Sequence, residues 1–204
     1  IAILWTLPVS LFTAIFLTEN SKSWVKRVVF PALDILAGLP SVVYGVWGIL
    51  VVVPWISDRL APHFVEYSTG YSTLAAGIVL GIMILPLLIS LFVELFSSVP
   101  KEYREASLSL GATRWQTTKY VLLKKTFPGI VASVTLAISR AMGETIAVLM
   151  VCGNIVQLPD SLFDGCYPLP ALIANNYALI LFVVVFVFNI ASRLILRKLE
   201  RNLV

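Results

Sequence analysis

The chain is poor in residues that do chemistry. It has one histidine, His63, and two cysteines, Cys152 and Cys166. No Cys-x-x-Cys or His-x-x-x-His spacing occurs, so zinc, iron–sulfur and haem sites lack a ligand set. There is no G-x-x-x-x-G-K-[ST] loop, so the chain is not itself an ATPase of that type. A nucleophile needs a base within reach. Ser139 has only Arg140 beside it and no histidine lies in any apolar run, which argues against an intramembrane hydrolase. No catalytic site, metal or cofactor is expected in this chain, and His63 is assigned no role. Charge is scarce as well: 13% of residues, with a formal net charge of +4. A nucleic-acid binder would gather such a surplus into a basic patch. Here the charges separate apolar runs, so membrane topology accounts for them and no nucleic-acid partner is expected. Ile1 opens the chain with no charged leader and no cleavage site, unlike a signal peptide. The start is read as an internal point of a longer protein.

Apolar surface is what the chain has in excess. Hydrophobic residues make up 59% and mean hydropathy is +0.93, whereas a globular chain averages about half apolar. Five apolar segments, roughly 1–18, 28–56, 72–96, 128–152 and 178–196, approach the ~20 residues a transmembrane helix needs. The second is too long for one straight span. Its "AGLPS" (37–41) marks a break, because Pro40 lacks a donor and disfavours helix at the residue before it. A short helix, a kink and then the span are expected there, and Pro86 should bend the third segment. Thirteen of the fifteen Lys and Arg residues fall in alternate loops or the tail, which sets those regions and the C-terminus in the cytosol. Only Arg59 lies opposite, and the fifteenth is Arg140. "NNYALILF" (175–182) lacks a good start signal for the last span, and residues are expected to be absent near Tyr177 and Ala178. The five tryptophans lie mostly near predicted span ends, as interface belts would have them.

Arg140 and Glu144 sit inside the fourth apolar segment. Arg140 is 12 residues past Pro128, or about 18 Å along a helix, which is mid-bilayer for a core about 30 Å thick. Glu144 is expected one turn further on, on the same helical face. A central charge costs at least about 2.5–3.5 kcal/mol. One reading is an internal ion pair that locks helices together. Arg before Glu is, however, the weaker order for such a pair, and buried pairs rarely give net stability. The other reading is a polar path, in which the guanidinium fork meets an oxyanion and Glu144 holds it when no anion is bound. Gly143 would let another helix or the substrate approach. Intramembrane ionisable residues are functional by default, which favours the path.

The loop "VPKEYREASLSLGATRWQTTKYVLLKK" (99–125) is the most specific stretch. Pro100 suits a first helical turn, and Glu102 and Glu105 lie early, where the helix dipole favours anions. Val99, Tyr103, Ala106 and Leu110 share a face at helical spacing. Gly111 is a natural terminator, and Thr113-x-x-Gln116 is a capping box that opens a second helix. The pattern predicts a helix, a sharp turn and a second helix with an apolar edge facing the cytosol. It fits either a helix lying on lipid or a docking element for a cytosolic partner.

Glu105-Ala106-Ser107 followed after three residues by Gly111 resembles the "EAA" loop of ATP-binding-cassette importer permeases. With "LPSVVYGVWG" (39–48), "GIMILP" (81–86) and "SRAMGETIAVLMVCGN" (139–154), the chain resembles the phosphate-specific PstC and PstA permeases. The stretch after Glu144 is more similar to PstC. The resemblance covers roughly residues 1–200 in order. Ser107 stands where the family has a second Ala. Leu123 is followed by Lys124 rather than by Pro, so a straighter, longer helix is expected there.

The resemblance implies an all-α membrane protein with a type I importer transmembrane domain, five visible spans of an expected six, and a cytosolic coupling helix. The whole chain, 1–204, would be one permease domain lacking its N-terminal span, with 98–127 as the coupling loop. It implies an ATP-driven phosphate importer subunit that forms half of the path by alternating access. The implied partners are a second, PstA-like permease, two ATPase subunits that hold ATP and Mg, and an external phosphate-binding protein. Carried over by position, Arg140 and Glu144 line the path and Glu105, Ala106 and Gly111 belong to the coupling loop. Ser41 and Tyr44 fall in "PS-x-x-YG" near the path; the alternatives are a helix N-cap for Ser41 and an interfacial aromatic for Tyr44. A permease for sulfate, molybdate or phosphonate is the nearest alternative within the family. A secondary anion transporter or channel would need no docking loop and should show inverted repeats, which the sequence lacks. Cys152 and Cys166 fall at or beyond the outer end of the fourth segment, either bridged or as unpaired small apolar residues.

Overall fold

The computed structural model describes residues 1–65, 68–176 and 178–201, the side chains of 173–181 and 195–201 excepted. The junction at Tyr177 singled out above lies outside the described residues. Helix α1 (Ala2–Ile15) continues through a π turn to Asn20 as one apolar rod. Helix α2 (Ser23–Gly38) ends where Leu39 and Pro40 turn extended, the break that proline at position 40 requires. Helix α3 (Ser41–Trp47) starts at once. It runs through π turns and the three-residue α4 (Val53–Trp55), and this rod reaches His63.

Helix α5 (Thr73–Ser98) opens on the Ser72 side chain, which accepts from the Ala75 N–H, and continues through buried Pro86. Helix α6 (Lys101–Ser109) follows. Helix α7 (Arg114–Thr117), a π turn and α8 (Leu123–Gly143) then form one 30-residue rod. Short α9 (Ile146–Val151), α10 (Leu169–Asn176) and α11 (Ala178–Arg201) complete the chain.

Four rods are long and apolar enough to cross a membrane: Ala2–Asn20, Ser41–His63, Thr73–Ser98 and Arg114–Gly143. The fifth predicted span corresponds to α11, which contains the apolar stretch Phe182–Leu194. The short helix, kink and span expected in segment 28–56 form as α2, the break at Leu39 and Pro40, and a separate crossing rod. One expected boundary is corrected. Segment 128–152 is not one span: its helix begins at Arg114 and ends at Gly143.

Helix α5 is the axis of the bundle, packed by α1, α2, α8 and α9. Of its most apolar stretch 61% is buried, against 28–33% for the other three rods. Phe92, Phe96, Ile84 and Leu88 are sealed inside. Polar residues in the rods satisfy themselves locally. Thr6 donates to the Ala2 carbonyl at 2.7 Å, Thr126 to Leu122 at 2.9 Å, Ser133 to Gly129 at 2.9 Å and Ser139 to Thr135 at 3.0 Å. In lipid no water is available to these hydroxyls, so bonding back one turn is the inexpensive solution. Among the described residues no buried side-chain N or O lacks a partner.

Helix α9 is wedged between α3 and α5. A β-carbon on Gly45 would stand 2.6 Å from Met150 Sδ and 3.2 Å from Ala147 Cα, and one on Gly48 would stand 2.8 Å from Val151 Cγ1. Small residues thus let the two backbones approach. The order of these contacts, 45 with 147 and 48 with 151, makes α3 and α9 parallel. The two breaks that precede them are therefore neighbours.

Candidate functional site

The fourth rod stops where the two predicted path residues lie. Gly143 is its last helical residue. Glu144 is extended (ψ 119°), with its N–H on the Ala141 carbonyl at 3.3 Å, and Thr145 precedes α9. Arg140 and Glu144 therefore do not share the face of one continuous helix, as their spacing predicts. Among the described residues the one ion pair is Arg104 with Glu19, so no Arg140–Glu144 bridge exists. The rod stops at Gly143, a weak helix former, although Gly129 is accommodated earlier within α8. Gly143 is also the helix end, and among the described residues nothing beyond its chain neighbours and its own helix backbone lies within 4 Å of where its β-carbon would be.

Arg140 occupies the last turn of α8, where the helix dipole favours a cation. Its side chain is exposed and makes no hydrogen bond or ion pair among the described residues. Leu136 (45% exposed), Arg140 and Gly143 line one exposed stripe, flanked by buried Ala137 and Ser139. A hollow of about 710 Å³ between α5, α8 and α11 includes Leu136 but neither Arg140 nor Glu144. The guanidinium thus projects from an open face of the chain rather than into a cavity within it.

Tyr44 is buried, and its hydroxyl donates to the Leu36 carbonyl at 2.7 Å. It thereby staples α3 back onto the end of α2 and satisfies one of the orphan carbonyls there. Its neighbour Gly45 packs on Ala147 and Met150 of α9, so Tyr44 stands beside the paired breaks. Ser41 is half-buried at the first position of α3. Pro40 is the N-cap and no side chain caps the helix, so the capping alternative for Ser41 does not hold.

The predicted helix–turn–helix forms at the other place of interest. Helix α6 has no buried residue, and Glu105, Ala106 and Gly111 are all exposed. Gly111 has φ +84°, a left-handed conformation that costs a side-chain-bearing residue roughly 1–2 kcal/mol. The capping box closes as the spacing predicts: the Gln116 N–H donates to Thr113 Oγ1 at 3.2 Å, and the Thr113 N–H to Gln116 Oε1 at 2.8 Å. The second helix is not a separate element, because it runs without interruption into the fourth rod. One uninterrupted rod therefore links the α6–α7 corner to Arg140. We predict that Gly111→Val loosens this corner without unfolding the bundle. Limited proteolysis should cut near residue 111 faster while the melting temperature changes by only a few degrees.

Sequence reasoning missed what holds α6 in place. Arg104 donates from Nε to Glu19 Oε1 at 3.0 Å, from Nη1 to the Val99 carbonyl at 2.7 Å and from Nη2 to the Phe96 carbonyl at 2.6 Å. It ties α6 to the last turns of both α1 and α5. Ser107 and Thr117 hydroxyls meet at 3.0 Å, so serine in place of a second alanine contributes a brace. Lys125 lies over the Tyr103 ring at 4.7 Å. Lys26, Lys101 and Arg104 line one hollow with Glu19 and Glu105, so the basic loops converge on one end of the bundle. Glu19, an acid closing an apolar rod beside basic loops, was the available signal for the anchor.

Comparison with known proteins agrees with this architecture. The chain is 35% identical over 230 aligned positions to the phosphate transport system permease protein PstC of Xylella fastidiosa, covering 99% of this chain and 71% of that one. It is 36% identical to a probable phosphate transport system permease protein PstC of Methanocaldococcus jannaschii, covering 97% and 71%. It is 39% identical to a probable ABC transporter permease protein, YqgH, of Bacillus subtilis, where it covers 83% of this chain and spans about half, 53%, of the relative. Among solved structures, an inward-facing MetNI methionine ABC transporter chain superposes with TM-score 0.65 at 17% identity, over 97% of this chain and 87% of that one. The fold is therefore that of a type I ABC importer transmembrane domain. Residues 7–204 match the family described as the binding-protein-dependent transport system inner membrane component, and the chain belongs to that family of multi-pass membrane permeases.

Proposed function

We propose that this chain is a permease subunit of an ATP-driven inorganic phosphate importer, and that the Arg140 face is its half of the path. The observation that carries the reading is an unpaired guanidinium on an open face at a break in a membrane rod. Hydrocarbon cannot be the neighbour of that group at acceptable cost. A second permease and the aqueous route between the two would cover the face. Arg140 offers a fork of donors to the phosphate oxygens, and a single such group holds an ion loosely enough to release it. Tyr44, Ser41 and Glu144 shape the path around the two breaks.

On this reading the basic end of the bundle faces the cytosol, and the C-terminus with it, because Lys and Arg favour the cytosolic side. Exposed α6 docks there on an ATPase subunit, and partner subunits hold ATP and Mg. An external phosphate-binding protein delivers the ion. Drive is required because an anion entering a cell that is negative inside climbs about 2.3 kcal/mol per charge per 100 mV. The names of the PstC relatives support phosphate as the cargo.

The test is uptake of radiolabelled phosphate by membranes carrying the full assembly. Uptake should stop when ATP is withheld and should resist excess sulfate, molybdate or phosphonate. Uptake that persists without ATP would indicate a secondary carrier, and competition by sulfate would reassign the cargo.

A further inference from the structure

We propose that Cys152 and Cys166 form an intrachain disulfide on the outer face of the membrane, clamping the end of α9 to the loop that caps α5. The chain contains two cysteines, and the fold brings those two together. Cys152 ends α9. The chain then reverses at Gly153 (φ 88°) and Asn154 (φ 55°) and returns so that the Cys166 N–H donates to the Cys152 carbonyl at 2.7 Å. Gly153 and Cys166 form an isolated parallel bridge, which sets Cys166 beside the end of α9, where the Cys152 thiol donates to Asn154 Oδ1 at 3.4 Å. Disulfides need α-carbons about 4.4–6.8 Å apart, and a direct backbone hydrogen bond between two residues holds them within that reach. Both residues are free thiols here.

The loop between them is already docked. The Thr73 N–H donates to the Asp164 carbonyl and the Leu74 N–H to the Leu162 carbonyl, each at 2.9 Å, at the start of α5. The Asp164 carboxylate accepts the N–H groups of Asp160 and Ser161 at 3.1 and 2.8 Å. A bond between the sulfurs would join this loop to α9 and hold α9 against the bundle axis. The chain break at 144–145 would then be where the Arg140 rod moves relative to a fixed outer layer. In the oxidation each thiol gives up its hydrogen and an S–S bond forms. The two protons and two electrons pass to a disulfide-bonded thiol oxidase of the external compartment, which leaves as a dithiol. Such compartments sustain disulfides, whereas the cytosol does not.

The inference rests on the orientation proposed above, and two measurements separate them. Trypsin leaves both cysteines in one peptide, 141–193, which has no internal Lys or Arg. Cells expressing the full chain are quenched in acid, denatured, alkylated with iodoacetamide and digested, with and without prior reduction. The expected result is a peptide that takes up no alkyl group until it is reduced, and then takes up two. Two alkyl groups without reduction would overturn the disulfide. Separately, Val156→Cys in a Cys152→Ala, Cys166→Ala background places a thiol on the exposed loop. A membrane-impermeant maleimide should label it in intact cells. Labelling only after permeabilisation would overturn the orientation, and with it the compartment this proposal requires. Free cysteines in the wild-type chain together with outside labelling would reject the disulfide and leave the orientation standing.

Discussion

Replacing Arg140 by Gln is expected to abolish phosphate uptake while the subunit still inserts and assembles. The side chain makes no hydrogen bond or ion pair among the described residues, and it is exposed, so its removal is not expected to leave a partner unsatisfied or to open a cavity. The fold should be unharmed, because the neutral residue is easier to place in a membrane. Function should suffer most, because the one fork of charged donors on the open stripe is lost. A drop on the order of 100-fold or more is anticipated, the scale found when a single preorganised donor to an anion is removed. Arg140→Lys should recover only part of the loss, since an ammonium keeps the charge without the planar fork. Uptake assays beside co-purification of the partner subunits make the test. Wild-type uptake by Arg140→Gln would remove the path reading. Loss of assembly together with loss of uptake would favour a structural role.

Arg104→Gln should uncouple the two ends of the machine, leaving an assembly that hydrolyses ATP without moving phosphate. Arg104 makes three hydrogen bonds, one to a carboxylate and two to helix-end carbonyls, and its side chain is 17% exposed. Charge-assisted bonds of this kind contribute about 1.5–3 kcal/mol each before losses overlap. Local destabilisation of about 2–4 kcal/mol is therefore expected, confined to α6 because no residue of α6 is buried in the bundle. Glu19→Gln removes the ionic part alone and should cost about 1 kcal/mol or less. Lys101→Gln, at an exposed neighbour, is the control and should leave coupling unchanged. The readout is the ratio of ATP hydrolysed to phosphate imported. An unchanged ratio in Arg104→Gln would mean that α6 does not transmit the ATPase cycle through this anchor.

Features encoded by near neighbours in sequence were legible without coordinates. The break at Pro40, the turn at Gly111, the Thr113–Gln116 capping box and the apolar rods each depend on a few adjacent residues and on the aversion of apolar side chains to water. Their positions therefore follow from local steric rules and hydropathy. The relatives then matched the family that the loop and path stretches had suggested, and the MetNI chain matched the fold. The relation between Arg140 and Glu144 was misread because the spacing argument assumed an unbroken helix. Gly143 supplied a signal for a stop as well as one for close packing, and nothing local distinguished them.

Composition and local pattern by themselves determined that this is a helical membrane protein with a basic end and an exposed helix–turn–helix between its third and fourth rods. Only the tertiary structure decided that the fourth rod stops at Gly143, that α9 lodges beside α3, and that Arg104 ties three helices together. It also decided that Arg140 points out of the chain instead of pairing within it. The physical reason is reach. Turns, caps and hydropathy act over one or two helical turns, whereas the partner of a long cationic side chain is set by whatever distant residue the packing brings within about 3 Å. For Arg104 that residue is 85 positions away; for Arg140, among the described residues of this chain, it is none.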